Sequence, residues 1–94
     1  MATPHVPSLY TILTLASARR ALKRLQTSHN SNLRPVVAAV KSLAENPRPP
    51  GSRHLVHRPE LRLRVGDYRI LYSVDDVRRT VTISTIAHRR EVYR

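Results

Sequence analysis

Two short runs of alternating apolar and polar residues, joined by a Gly-Asp turn, constrain the fold of this sequence more than any other feature. In Leu61–Val65 (LRLRV) arginines separate the apolar residues, which is the period-two pattern of a strand with one buried face. Gly66 and Asp67 predict a tight turn, and residues 68–74 (YRILYSV) continue the alternation with Arg69 on the polar side. The pattern therefore predicts an antiparallel hairpin with one core face and one face that carries arginines.

The charge of the chain indicates an anionic partner. The 94 residues carry a formal net charge of +11, from 17 basic and 6 acidic side chains. Fifteen of the basic residues are arginine, whose planar guanidinium group can bind two phosphate oxygens at once. This predicts attraction to RNA, DNA or an acidic protein. An arginine-rich genome would give the same composition, so charge alone does not identify the partner.

Several classes of site are excluded by composition. The chain has no cysteine, hence no disulfide framework and no thiolate ligand or nucleophile. Its five histidines are scattered without an acidic cluster, and its two glycines cannot form a glycine-rich phosphate loop, so we expect no metal and no cofactor. No apolar run is long enough to span a membrane and no signal peptide is visible, which predicts a cytoplasmic protein without a membrane partner.

The first half of the chain predicts a strand followed by two helices. Residues 9–13 (LYTIL) are apolar and β-prone, and Ser17 stands where the N-cap of an amphipathic basic helix over 18–26 belongs. Ser31 or Asn32 can cap a second helix with Pro35 in its first turn. We expect Asn46 and Pro47 to end that helix, because the residue before proline is disfavoured in helical geometry.

The second half predicts strands only. An irregular connection over 47–59 precedes the hairpin, and residues 80–87 form a last strand in which Ile86 falls out of phase. We therefore expect a bulge near Ser84 and Thr85. The element order is β-α-α-β-β-β in one domain, 1–94. It predicts an α+β fold with a two-helix hairpin packed on a small antiparallel twisted sheet.

Two motifs carry a resemblance to a known family. The run RLRVGDYRILY, followed by an apolar strand and a closing HRREVY, resembles the RelE/ParE superfamily of type II toxin–antitoxin systems. The resemblance implies a RelE-like fold and a ribosome-dependent, metal-independent mRNA endoribonuclease that inhibits translation and leaves a 2′,3′-cyclic phosphate. It also implies an acidic antitoxin as partner, with operator DNA bound only as the toxin–antitoxin complex.

The resemblance assigns four catalytic candidates. The arginine of the Gly-Asp-Tyr-Arg motif contacts the scissile phosphate in the family, which is Arg69 here. A tail Arg or His and a tail Tyr lie at the reaction centre of RNA-cleaving relatives, which corresponds to Arg89, His88 and Tyr93. Histidine is the side chain best suited to exchange protons at physiological pH, so His88 can serve as acid or base, whereas arginine is a strong clamp and a poor proton donor.

Five further residues are predicted to bind RNA. Arg62, Arg64 and Arg69 share one face of the predicted hairpin and repel each other unless an anion offsets their charge. An ordinary solvent-exposed strand face would show the same alternation. In the family a Lys or Arg precedes a conserved loop leucine, and two residues of this chain occupy that place. The predicted RNA-binding residues are Arg62, Arg64, Arg90, Arg53 and His54.

Two other functions remain open at this stage. A ParE-like member of the superfamily inhibits DNA gyrase and is no nuclease, because one fold can host unrelated chemistries. The third possibility is an inactive nucleic-acid-binding module. The HRREVY tail and the paired strand arginines favour the nuclease.

Overall fold

The computed structural model describes residues 9–27 and 32–89. The predictions for Ser31, Arg90 and Tyr93 therefore lie outside the described residues. In chain order the elements are β1 (Thr11–Thr14), α1 (Ala16–Gln26), α2 (Arg34–Ser42), β2 (Arg53–His54), β3 (Leu61–Val65), β4 (Tyr68–Asp75) and β5 (Thr80–His88).

The five strands form one mixed sheet in the order β1-β5-β4-β3-β2. The α+β fold is confirmed, with two differences from the predicted sheet. β1 runs parallel to β5, and residues 53–54 of the expected irregular connection pair with β3 as a short edge strand. The period-two pattern indicates a strand but not its direction, which is why the parallel pair was not predicted.

Helix α1 buries one apolar face against β5, but it begins before its predicted N-cap. Ala18, Ala21 and Leu25 are buried. The Leu15 N–H donates to the Ile83 carbonyl at 2.9 Å, so pairing with β5 continues to Leu15 and the helix starts directly after it. Ser17 therefore lies inside the helix and does not cap it, so the predicted N-cap is wrong. Its hydroxyl donates a hydrogen bond to the Ser84 carbonyl at 3.1 Å instead.

Helix α2 starts after Leu33 and ends earlier than predicted. Leu33 is its N-cap and no side chain caps the helix, so the predicted cap at Asn32 is wrong, while Pro35 lies in the first turn as predicted. The Asn32 side-chain oxygen accepts a hydrogen bond from the Arg34 N–H at 3.2 Å. The helix ends at Ser42, and turns follow before Asn46 and Pro47. α2 packs on β3, so both helices cover the same face of the sheet.

The core lies between the helices and this face. Tyr72, Ile70, Ile83, Val36 and Leu43 have no solvent exposure. The buried Tyr72 hydroxyl donates to the Pro47 carbonyl at 2.8 Å, which satisfies it and ties the connection after α2 to the sheet.

A bulge in β5 sets the phase of the last strand. Leu71 pairs with Thr85 while the next residue of β4, Tyr72, pairs with Ile83, so Ser84 is the extra residue. Its hydroxyl donates to the Leu71 carbonyl at 3.1 Å. The predicted bulge is confirmed, and it returns Ile86 to the core, where it is 2% exposed. As a consequence Ala87 faces the side of the sheet opposite the helices.

Candidate active site

Four arginines occupy the face of the sheet that the helices leave uncovered. Arg64 pairs with Arg69, and Arg53 pairs with Arg62. Directly paired residues share a face, and these alternate with the buried Leu61 and Leu63. We call these four residues the arginine face. Cross-strand pairs of like charge destabilise a sheet unless counter-charge is supplied.

The arginine face ends in a depression beside the β3–β4 turn. Its volume is about 270 Å³, several times the roughly 30 Å³ that one water occupies in the liquid. It brings together two arginines of the hairpin and one from the end of β5, although 20 residues of chain separate Arg69 from Arg89. The lining residues are Arg64, Gly66, Asp67, Tyr68, Arg69 and Arg89.

Arg89 is fixed to this depression by its backbone. The Arg89 N–H donates to the Asp67 carbonyl at 2.6 Å. The Arg89 Nη1 atom also lies 3.7 Å from Asp67 Oδ1, with the two side chains 65% and 62% exposed. An ion pair so open to solvent contributes little stability. The backbone bond therefore holds Arg89 in place, while the exposed guanidinium and carboxylate remain accessible to a ligand.

The turn that carries Asp67 depends on the glycine before it. Gly66 has φ +59°, and a positive φ at the first central residue alone is typical of a type II′ hairpin turn. A Cβ atom on Gly66 would meet nothing within 4 Å. Glycine is therefore required for backbone conformation and not for space, and it aligns β3 and β4 so that Arg64 and Arg69 meet.

His88 does not line the depression. It pairs with Tyr68, and the two rings form an edge-to-face contact with centroids 5.2 Å apart at 86°. Tyr68 packs against the core, so the pair lies on the helix-bearing face. The bulge at Ser84 is the physical reason, because it places Ala87, not His88, opposite Arg69. The sequence analysis predicted that His88 lies at the reaction centre with Arg69, whereas in the structure the two residues lie on opposite faces of the sheet.

Of the remaining candidates, the structure places Arg53 and Arg62 on the arginine face, next to the depression but outside its lining. His54 pairs with Leu61 and so belongs to the opposite face. Sequence reasoning missed Asp67, which it interpreted as a turn residue only. The strand order could have indicated its position. In an antiparallel pair the end of β5 lies beside the start of β4, and therefore beside the turn that holds Asp67.

The other cluster of charged residues lies at the opposite end of β4. Arg48 binds both carboxylate oxygens of Asp76 at 3.1 and 3.0 Å, and the Tyr10 hydroxyl donates to the same carboxylate. These hydrogen bonds, first from Arg48 and then from Tyr10, lower the pKa of Asp76 to about 2. The Arg79 guanidinium stacks over the Tyr10 ring, 4.7 Å from its centroid. The cluster links β1, the connection after α2 and the β4–β5 turn, which is a structural task.

Within residues 9–27 and 32–89, no three His, Asp or Glu side chains are grouped so that they could hold a metal ion. Neither α1 nor α2 is long and apolar enough to cross a membrane.

Solved structures of toxins share this fold. The toxin–antitoxin complex RelBE2 from Mycobacterium tuberculosis is similar at 29% identity and a TM-score of 0.63, over 85% of this chain and 98% of that one. The RelE–RelB complex of Pyrococcus horikoshii matches at 22% identity and a TM-score of 0.66, over 86% and 96%. YafQ from Escherichia coli matches at 13% identity and a TM-score of 0.70, over 90% and 99%.

Residues 12–93 match the ParE toxin of the type II toxin–antitoxin system parDE. The chain therefore belongs to the ParE toxin family of type II toxin–antitoxin systems, and the predicted membership of the RelE/ParE superfamily is confirmed. A comparison with curated proteins found no match.

Proposed function

We propose that this toxin is a ribosome-dependent mRNA endoribonuclease that needs no metal. The observation that supports the proposal is the convergence of Arg64, Arg69 and Arg89 on one depression. Three guanidinium groups from two separate segments suit a phosphodiester, since each can bind two phosphate oxygens.

The proposed reaction is attack by the RNA's own 2′-hydroxyl on the adjacent phosphorus, which gives a 2′,3′-cyclic phosphate and a 5′-hydroxyl. Negative charge builds up on the phosphoryl oxygens as the attack proceeds, and Arg69, Arg64 and Arg89 stabilise it. Arginine stays protonated at every physiological pH, so this clamp supplies charge and leaves proton transfer to another group.

The arginine face gives the substrate a path beyond the cleaved phosphate. Arg62 lies two residues from Arg64 on one strand, a spacing of roughly 7 Å, and Arg53 pairs with Arg62. We propose that this second pair binds a neighbouring phosphate of the same RNA strand. Tyr93 is proposed to stack on a base, with Arg90 as a flanking contact. His54 faces away from this path, and His88 acts through its ring contact with Tyr68.

The depression is open to solvent, so it does not by itself orient a flexible RNA. We propose that the ribosome supplies this orientation, because holding the reacting atoms in line contributes much of the rate of such reactions. In the cytoplasm an acidic antitoxin segment would cover the arginine face when the toxin is neutralised. Operator DNA would be bound only by that complex, mostly through the antitoxin.

A second candidate is inhibition of DNA gyrase, favoured by one specific observation: the matched family is that of ParE toxins. In that case the arginine face would bind an acidic protein surface and no cleavage would occur. The depression lined by three arginines favours the nuclease, because a flat protein contact does not require groups that converge on one point.

Both candidates are tested by making the chain in a translating extract and mapping mRNA 5′ ends. Codon-phased cuts that leave 5′-hydroxyl ends support the nuclease. Gyrase-dependent breaks in added plasmid DNA, with intact mRNA, support the second candidate. If neither occurs, the chain is a binding module without activity.

A further inference from the structure

We propose that Asp67 accepts the proton of the attacking 2′-hydroxyl, an inference that rests on the proposed nuclease function. A metal-free cleavage needs a proton acceptor next to the scissile phosphate. Among the described residues that line the depression, Asp67 is the one carboxylate, surrounded by Arg64, Arg69 and Arg89. Protonated arginine has no acceptor atom.

The other titratable groups near this end of the sheet are engaged or distant. Tyr68 also borders the depression, but its ring packs against the core and contacts His88 on the helix-bearing face. Glu60 pairs with Arg58 at 2.8 Å, at the far end of β3. Asp75 and Asp76 lie at the opposite end of β4, at least eight residues along the chain from Asp67. The topology thus leaves Asp67 as the described acceptor at the arginine cluster.

The position of Asp67 is held and its carboxylate is accessible. Its carbonyl receives the 2.6 Å bond from the Arg89 N–H, and Gly66 fixes the turn in front of it. Its side chain is 62% exposed and lies 3.7 Å from the Arg89 guanidinium. At that distance Arg89 can bind the phosphate while the carboxylate reaches the neighbouring ribose, since both groups border the same depression.

The Asp67 carboxylate takes the 2′-hydroxyl proton while the 2′-oxygen forms a bond to phosphorus, and negative charge moves from the carboxylate to the phosphoryl oxygens beside the arginines. The bond from phosphorus to the 5′-oxygen then breaks, and its electron pair stays on that oxygen. Water protonates the 5′-oxygen, and the resulting hydroxide takes the proton back from Asp67.

The test compares wild type with Asp67→Asn in single-turnover cleavage of mRNA on programmed ribosomes. Asparagine keeps the size of the side chain and is favoured in turns, but it cannot accept the proton. We expect cleavage to fall about 10²–10⁴-fold with unchanged RNA affinity. The solvent deuterium isotope effect on the wild-type rate should disappear. Asp75→Asn is the matched control, because it makes the same charge change at the other hairpin turn and should leave the rate unchanged.

Two outcomes overturn the inference. One is cleavage by Asp67→Asn at the wild-type rate. The other is a loss in Asp67→Asn that adds nothing in an Arg89→Ala background, since that would mean Asp67 only positions Arg89. Either result leaves the nuclease standing, because wild type still cuts. If wild type itself does not cut, the proposed function fails, and the inference fails with it.

Discussion

Arg64 and Arg69 lie directly opposite each other in the β3–β4 hairpin, so two positive side chains share one register position on the uncovered face of the sheet. Like charges placed in this way cost a sheet roughly 0.2–1 kcal/mol. A bound anion would offset this repulsion.

Arg64→Thr should make the free toxin more stable and its RNA binding weaker. Threonine is favoured in strands, and the change relieves the repulsion with Arg69. We expect the free energy of unfolding to rise by about 0.5 kcal/mol, measured by denaturant titration, while RNA affinity falls. Arg78→Thr, the same charge change in the exposed β4–β5 turn, should change neither quantity. A less stable Arg64→Thr protein would show that the pair is not strained.

Arg69→Lys should lose most of the cleavage activity although it keeps the charge. Lysine is a point charge and cannot bind two phosphoryl oxygens in one plane as the guanidinium does. We expect kcat to fall by about 10²–10³ in the mRNA-end assay, with an unchanged melting temperature. Arg20→Lys, on the exposed surface of α1, is the control. Full activity in Arg69→Lys would contradict a bidentate clamp.

Deletion of Ser84 should preserve the register of β4 and β5 and most of the cleavage activity. Ser84 is the extra residue of the bulge, so without it Thr85 still pairs with Leu71 and Ile86 still pairs with Ile70 in the core. The deletion removes the hydrogen bond from the Ser84 hydroxyl to the Leu71 carbonyl, a loss of about 0.5–1.5 kcal/mol. Ser84→Ala loses the same hydrogen bond and keeps the bulge, so thermal melts and cleavage of the two variants should be similar. Loss of activity in the deletion variant alone would contradict this register.

The Asp76 cluster predicts the acid sensitivity of the fold. Because Arg48 and Tyr10 lower the pKa of Asp76 from 3.8 to about 2, its contribution to stability is present above pH 3.8 and is lost as the pH falls towards 2. Asp76→Asn should therefore lower the melting temperature at pH 7 and lose less than wild type between pH 4 and 2. Asp75→Asn should follow the wild-type curve. An acid transition that is identical in Asp76→Asn and wild type would exclude this carboxylate as its source.

The local pattern of the sequence was enough to place the elements near the site. The alternation of Leu61–Val65, the Gly-Asp turn and the phase break before Ile86 predicted the hairpin and the bulge, because the side-chain direction in a strand repeats every two residues. The same alternation placed Arg64 and Arg69 on one face. Family resemblance added the proposed role of Arg69, which periodicity alone does not provide.

Tertiary structure decided which groups meet. Strand direction and the contacts at strand ends depend on pairing between distant segments, which a local pattern does not encode. The parallel β1–β5 pair started α1 ahead of Ser17, and the register of β5 directed His88 to the helix-bearing face while its end reached the β3–β4 turn. Only this long-range register placed the Asp67 carboxylate beside Arg89, because 22 residues of chain separate the two and nothing in their local sequence sets the distance.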